Sequence, residues 1–297
     1  MRLGTRGSAL ALAQAEQVAA LLGGCEIVPI RTSGDRADAN ASDKSRWVTD
    51  LEQALLAGQI DLAVHSAKDV PGELADGLAL LGCPERAAAE DVLCGAAGLE
   101  ELRPGARVGT SSIRRLAQLR ATREDLEVVA IRGNVDTRLR KLADPEEGLD
   151  AIVLARAGLQ RLGREDEAGG VLDTERFVPA PGQGIIALEG RAGDTVTREA
   201  VQAITDGEAF ACLLAERALA HGLDASCHTP LGAYAVPAGC GCLQLRAWVG
   251  LPDGSAWVGD ELLGGFYDPE ALGRRVAERL EVVGAAELLR RAEEMAA

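Results

Sequence analysis

Strand-like runs alternate with helix-like ones through the first two thirds of the chain, an order that admits few folds besides helices layered on parallel sheets. RLGT (2–5) reads as a strand, and Ser8 caps a helix through Leu22 that Gly23 and Gly24 close. CEIVPI (25–30) reads as the next strand, and IDLAV (60–64) as one that delivers the chain into HSAKDVP (65–71). RVG (107–109) leads into TSSIRRLAQLR, LEVVAI (126–131) into RGNVDTRLRKL, and DAIVLA (150–155) into RAGLQRLG. Thr49 and Glu52 have the spacing of a capping box, which predicts a helix opening there and ending near Gly58. The polar stretch from Ser33 to Arg46 lacks apolar periodicity and reads as a mobile surface loop.

From about Glu208 the character changes to a helix (208–221), a loop (222–230), strand candidates near 231–236, 243–249 and 256–262, and helices from Pro269. That tail reads as a separate α+β domain. PAPGQG (179–184), with two prolines and two glycines, suits a crossing or hinge between α/β units. A length of 297 residues exceeds what one core usually serves, so two or three domains are expected. With 47% hydrophobic but only 3% aromatic residues, the core must be Ala, Leu and Val, which suits buried strands under helices.

The formal charge of −15 argues against a general nucleic-acid or anionic-membrane surface, so an acidic ligand would need local basic loops. Seven cysteines, odd in number and irregular in spacing, point to a reducing compartment and not to a disulfide framework. Arg2, Arg6 and an apolar start raise the question of a signal peptide, but Gln14 and Glu16 interrupt the run too early. No segment approaches a membrane span, and a cytoplasmic protein is the expectation.

In open α/β sheets ligands bind beyond the carboxyl ends of the strands, where helix N-termini offer N–H groups to anions. The basic and hydroxyl residues gather there. Arg6 and Ser8 follow one strand, His65, Ser66, Lys68 and Asp69 another, and Thr110, Ser111, Ser112, Arg114 and Arg115 a third. Arg132 and Arg138, then Arg156 and Arg161, follow two more, in a chain with only three lysines. Arginine's planar fork suits carboxylate or phosphate, although any single one could equally be solvated or ion-paired. Asp69, beside Lys68 on a turn stopped by Pro71, could donate a proton and balance a cationic intermediate; its plain structural reading is an Asx turn. His65, alone at a strand end, reads as a satisfied structural group. Cys227, followed by His228 in a loop bounded by Pro230 and Gly232, is either a reactive thiol or an inert half-buried cysteine. Cys240 and Cys242 lack the second clustered pair of a zinc site, so no metal is expected.

TRGSALALAQA, VHSAKDVP, VGTSSIRR, IRGNVDTRLRKL, LARAGLQRL, PAPGQG and SCHTPLGAYA, in that order, closely resemble the hydroxymethylbilane synthase, or porphobilinogen deaminase, family over almost the whole chain. The resemblance implies a monomer with two α/β domains similar to type II periplasmic binding proteins, a cleft between them, and a small α+β C-terminal domain. Carried onto this chain, residues 1–86 with 183–205 form the first domain, 87–182 the second and 206–297 the third. It implies head-to-tail condensation of four porphobilinogen molecules with loss of ammonia, giving hydroxymethylbilane on a dipyrromethane cofactor joined by a thioether to Cys227.

Each pyrrole carries acetate and propionate, so arginine loops are what such a ligand calls for. By motif, Ser66, Lys68, Thr110, Ser112, Arg114, Arg115 and Arg132 look like cofactor contacts. Arg6, Ser8, Arg132, Arg138 and Arg161 look like the substrate side, and Asp69 matches the catalytic aspartate. Two departures stand out. Ala225 and Ser226 replace the usual two glycines before the cysteine, and Lys44-Ser45-Arg46-Trp47 replaces a KGLF-like string, leaving Lys44 as a ligand candidate and Trp47 as a substitute aromatic lid. The alternatives are a non-enzymatic small-anion-binding module of the same fold, and a thiol enzyme using Cys227 with His228.

Overall fold

Two five-stranded sheets organise the first two thirds of the chain, and both are mixed, where the alternation had predicted parallel ones. The computed structural model describes residues 1–30, 45–225 and 229–296. The chain divides into two compact units, Met1–Ala87 with Gly184–Phe210 and Ala88–Gln183 with Ala211–Ala297. One passage between them lies at Gln183 and Gly184, inside PAPGQG.

In the first unit β1 (Arg2–Arg6), β2 (Glu26–Ile30), β3 (Leu62–Ser66), β4 (Leu78–Gly82) and β10 (Ile186–Arg191) lie in the order β2-β1-β3-β10-β4. β10 is antiparallel to both of its neighbours, and β1, β2 and β3 run parallel. Alternation along the strands sorts the core into two faces. Leu62 and Val64 of β3 join Ala15 and Val18 of α1 (Ala9–Leu21) on one side. Ala63 joins Leu51 and Leu55 of α2 (Ser45–Leu56) on the other. Each aliphatic side chain so buried stabilises the unit by roughly 1.5–3 kcal/mol. Ser8 caps α1, its side chain accepting from Ala11 N at 3.3 Å, and Gly23 and Gly24 close it with φ of +76° and +108°. α2 begins four residues before the expected capping box, so Thr49 sits inside the helix and not at its cap; Glu52 is drawn elsewhere, accepting from Ala75 N at 3.0 Å. The expected loop 33–46 lies, up to residue 44, outside the described residues.

The second unit repeats the plan. β5 (Asp91–Cys94), β6 (Arg107–Gly109), β7 (Glu127–Val129), β8 (Ala151–Ala155) and β9 (Gly170–Leu172) lie in the order β7-β6-β8-β5-β9, with β5 antiparallel to β8 and β9. α3 (Ile113–Thr122), α4 (Val135–Ala143) and α5 (Arg156–Arg161) follow β6, β7 and β8. β5 and β10 escaped the sequence reading because the chain enters each from the other unit and not from a helix, so the strand-then-helix rhythm is missing there. They are also the strands that make the sheets mixed.

The remainder of the first unit is α6 (Thr195–Gln202), and α7 (Gly207–Gly222) leads into a C-terminal domain. There β11 (Leu231–Pro237), β12 (Cys242–Gly250) and β13 (Trp257–Gly265) form an antiparallel meander with its own core against α8 (Pro269–Val282) and α9 (Ala285–Ala296). Among the described residues no helix is long and apolar enough to cross a membrane.

α7 and α8 approach closely at Gly273, where an added Cβ would lie 2.3 Å from Ala215 O and 2.7 Å from Ala218 Cβ. Gly273→Ala is therefore expected to force the helices apart and cost about 1–3 kcal/mol, read as a lower urea midpoint with unchanged slope. A midpoint equal to that of the parent would show that the helix pair tolerates the methyl group.

Candidate active site

Because β1, β3 and β4 share one direction, the chain leaves them all at the same edge of the first sheet. Arg6 ends β1 and Ser8 caps the next helix, while β3 delivers Ser66 and a short 3-10 turn, Ala67–Asp69, that carries Lys68 and Asp69 half-buried. Ala67 N donates to Ile185 O at 3.0 Å and Val70 N closes the turn on Ala67 O at 3.1 Å. Ser66 Oγ is hydrogen-bonded to the Gln14 amide at 3.0 Å. His65 is buried with its Nε2 2.9 Å from Glu189 Oε2, so the reading of a satisfied structural histidine describes it.

The second sheet offers the same edge, again because β6, β7 and β8 are parallel. After β6, buried Thr110 accepts from Ser112 N at 3.2 Å, and Ser112 caps α3 by accepting from Arg115 N at 3.5 Å. After β7 comes exposed Arg132, then Asn134, which caps α4 by accepting from Thr137 N at 2.9 Å. Ser111 Oγ donates to Ile131 O at 2.5 Å and so stitches these two loops together. Half-buried Arg138 donates through Nε to Gly133 O at 2.8 Å. Arg161 ends α5, and burial pulls its guanidinium down to about 10, so it stays a cation at neutral pH. Arg156 is an ion-paired surface arginine, 3.6 Å from Glu90 and 3.5 Å from Glu165. This edge therefore gathers hydroxyls, capped helix starts and guanidiniums, a donor set for carboxylates.

Arg114 and Arg115 stand apart from the exposed arginines. Both are turned inward onto Asp91, which is fully buried at the start of β5 opposite Ala155. Arg114 Nη2 lies 2.7 Å from Oδ2, and Arg115 reaches Oδ1 through Nε at 3.0 Å and Nη2 at 2.6 Å. Their remaining Nη1 groups donate to Val178 O at 2.8 Å and Val153 O at 2.9 Å, and Gln183 Nε2 adds a bond to Asp91 at 2.9 Å. Burial alone would raise the Asp91 pKa, but the two guanidiniums outweigh it and hold the carboxyl well below the usual carboxylate range.

Asp91 and Gln183 left no signal in the sequence, since an acid before a short apolar run resembles any surface turn. Cys227 and Lys44 lie outside the described residues, as does the side chain of Trp47, whose backbone belongs to α2. Cys240 lies in the turn between β11 and β12 and Cys242 opens β12, and among the described residues no group of three potential ligands could hold a metal.

Comparison with known proteins returns two family models in chain order. Residues 1–199 match the porphobilinogen deaminase dipyromethane cofactor binding domain and residues 210–282 the porphobilinogen deaminase C-terminal domain. A porphobilinogen deaminase of Xanthomonas euvesicatoria is 46% identical over 97% of this chain and 98% of its own. One of Rubrobacter xylanophilus is 46% identical over 97% of this chain and 95% of its own. Among solved structures, an ancestral cationic amino acid solute binding protein overlays 68% of this chain and 86% of its own at 13% identity with a TM-score of 0.41.

Asp91→Asn should leave two buried guanidiniums without their counter-charge and lower stability by about 3–5 kcal/mol. The sign with pH follows from the depressed carboxyl. The stabilisation is complete above the unfolded value near 3.9 and erodes as pH falls below it. Urea titrations between pH 3 and 7 should show a component of acid loss in the parent that the Asn variant lacks; identical pH curves would contradict the cluster.

Proposed function

The chain belongs to the porphobilinogen deaminase family, and from that premise we propose which of its residues carry the family's reaction. The reaction itself is that of a transferase that joins porphobilinogen units to form hydroxymethylbilane, with a dipyrromethane cofactor. The alternative of a non-enzymatic anion-binding module falls with that membership.

The edge of the second sheet, rich in hydroxyls and guanidiniums, is the observation that supports the proposal. A dipyrromethane has two carboxylates on each ring, and the hydroxyls and guanidiniums of Thr110, Ser112, Arg132, Arg138 and Arg161 fit such a group in charge and donor type. We assign Thr110, Ser112 and Arg132 to the cofactor, and Arg6, Ser8, Arg132, Arg138 and Arg161 to the incoming substrate. Ser66 and Lys68 serve the cofactor from the first sheet. Arg114 and Arg115 belong to the cofactor side through the edge they hold in place, their guanidiniums being engaged with Asp91. When bound through a thioether to Cys227, the cofactor supplies the pyrrole carbon from which the chain grows.

Asp69 has the proton steps. Half-buried on a turn whose backbone is pinned at Ala67 and Val70, its carboxyl can deliver a proton to the departing amine nitrogen and then face the positive charge left on the pyrrole. Lys44 and Trp47 are assigned to the lid over bound pyrroles, 206–297 to the cofactor-carrying domain, and the working state to a cytoplasmic monomer.

Two measurements test these assignments. Cys227→Ala, by intact mass, should lack the two condensed pyrroles that the parent carries and should be inactive, whereas Cys240→Ala and Cys242→Ala should keep both adduct and activity. An adduct mapped to any other cysteine would remove Cys227 from the site. Asp69→Asn, with cofactor in place, should consume porphobilinogen roughly two to four orders of magnitude more slowly, because size and hydrogen bonding remain while proton and charge are gone. Normal turnover would end the acid and counter-charge role.

A further inference from the structure

One buried acid and imidazole pair in the first unit takes no part in the binding and proton steps above. Alternation places it: Leu62 and Val64 of β3 face α1, so Ala63 and His65 face α2, and on β10 Ile186 and Leu188 face α1 while Glu189 faces α2. The antiparallel register sets Glu189 opposite Ala63, two residues from His65 on the same face. There the Nε2 of His65 and Oε2 of Glu189 are 2.9 Å apart, their side chains 5% and 0% exposed. Glu52, on α2, feels the charge of both. Burial raises its pKa, and the charge of Glu189 raises it further while His65 pulls the other way.

Two buried carboxylates and one imidazole are an expensive way to fill a sheet face. Glu189 Oε1 is buried too, with no hydrogen-bond partner among the described residues. An aliphatic side chain would stabilise the face better, so the pair points to a demand other than packing. Its place in the chain names the demand. His65 immediately precedes Ser66 and the turn that carries Asp69, and β10, which carries Glu189, also carries the chain back to Ile185, whose carbonyl accepts from Ala67 N. Two further ties beside it, Ser66 to Gln14 and Ala67 to Ile185, are neutral hydrogen bonds.

We propose that Glu189 is a positioning residue for the reaction, which through His65 holds the end of β3 against β10 and so aims the Asp69 carboxylate four residues on. The proposal rests on the reading of Asp69 as the group that handles the proton. Because it acts on the aim of a reacting group, the pair bears on kcat and leaves KM for porphobilinogen nearly unchanged.

The experiment compares kcat, KM and melting temperature of cofactor-loaded variants, with the adduct checked by intact mass. His65→Leu should strand Glu189, lowering both melting temperature and kcat, the latter by about tenfold or more. The double variant His65→Leu with Glu189→Leu removes both polar partners together, so melting temperature should recover while kcat stays low. Full recovery of kcat along with stability would overturn the proposal and leave the pair a packing feature. Where leucine variants fail to fold, His65→Gln and His65→Asn decide. The Gln amide reaches the position of Nε2 and should recover most of kcat, the shorter Asn should not, and equal kcat in the two would overturn the proposal. Asp69→Asn run alongside separates the premises. Normal turnover in that variant sinks the role of Asp69 itself, whereas a slow Asp69→Asn beside a fully active double-leucine variant sinks the positioning alone.

Discussion

A carboxylate with no access to water, held between two guanidiniums, is the constraint on which the second unit is built. Asp91 is the first residue of β5, Arg114 and Arg115 are the first turn of α3, and their outer nitrogens reach carbonyls of β8 and of the segment before PAPGQG. Strand, helix and crossing segment are therefore tied at one point. In a buried setting the desolvation of three charges must be repaid by geometry, and each Asp91 oxygen accepts accordingly. Removing any member would leave the others exposed to the full penalty. The start of α3 cannot drift from the sheet, and with it stay Thr110 and Ser112, which cap and brace the same loop.

That rigidity matters because the molecule carries a formal charge of −15 and yet must bind polycarboxylates. It does so by sorting its charges. Cations and hydroxyls collect where parallel strands end, beside the N-termini of helices, and acids pair with arginines elsewhere, as Asp61 does with Arg2 and Asp260 with Arg279. Both sheets share one strand plan, so each unit offers one such edge. The first holds the acid Asp69 beside Lys68, the second the greater part of the arginine donors. The acid Asp69 and the larger group of guanidiniums thus stand on different edges, although Arg6, Ser8, Ser66 and Lys68 add donors to the first.

Much of this was legible before any coordinates. Period-2 and period-3.6 patterns located β1, β3, β6 and β8, and the helices after β1, β6 and β8, to within two or three residues, because each of those strands runs almost directly into a helix. Ser8 and Ser112 act as caps, one as expected and one revealed as such by its bond to Arg115 N. The three strands and two helices of the C-terminal domain were equally plain. The runs that failed were β4, β5, β9, β10 and α6, of which β5 and β10 are entered from a crossing with no helix to announce them, and the helix around Thr49, whose start lay in sequence without apolar rhythm. The motifs carried the family, because long strings in fixed order are specific in a way that single residues are not.

The sequence by itself determined the type of chemistry, since arginines, hydroxyls and one acid fall at strand ends by local patterning alone. It also determined the family and the alternating architecture. Tertiary structure alone decided which of those charges are spent inside the protein and which stay exposed. Arg114 and Arg132 are the same residue type at equivalent strand ends, yet one is buried on Asp91 and the other is exposed. It also decided that His65 meets Glu189, 124 residues further on. Pairing of this kind depends on register and facing across a sheet, which are properties of folded neighbours and leave no trace in local spacing.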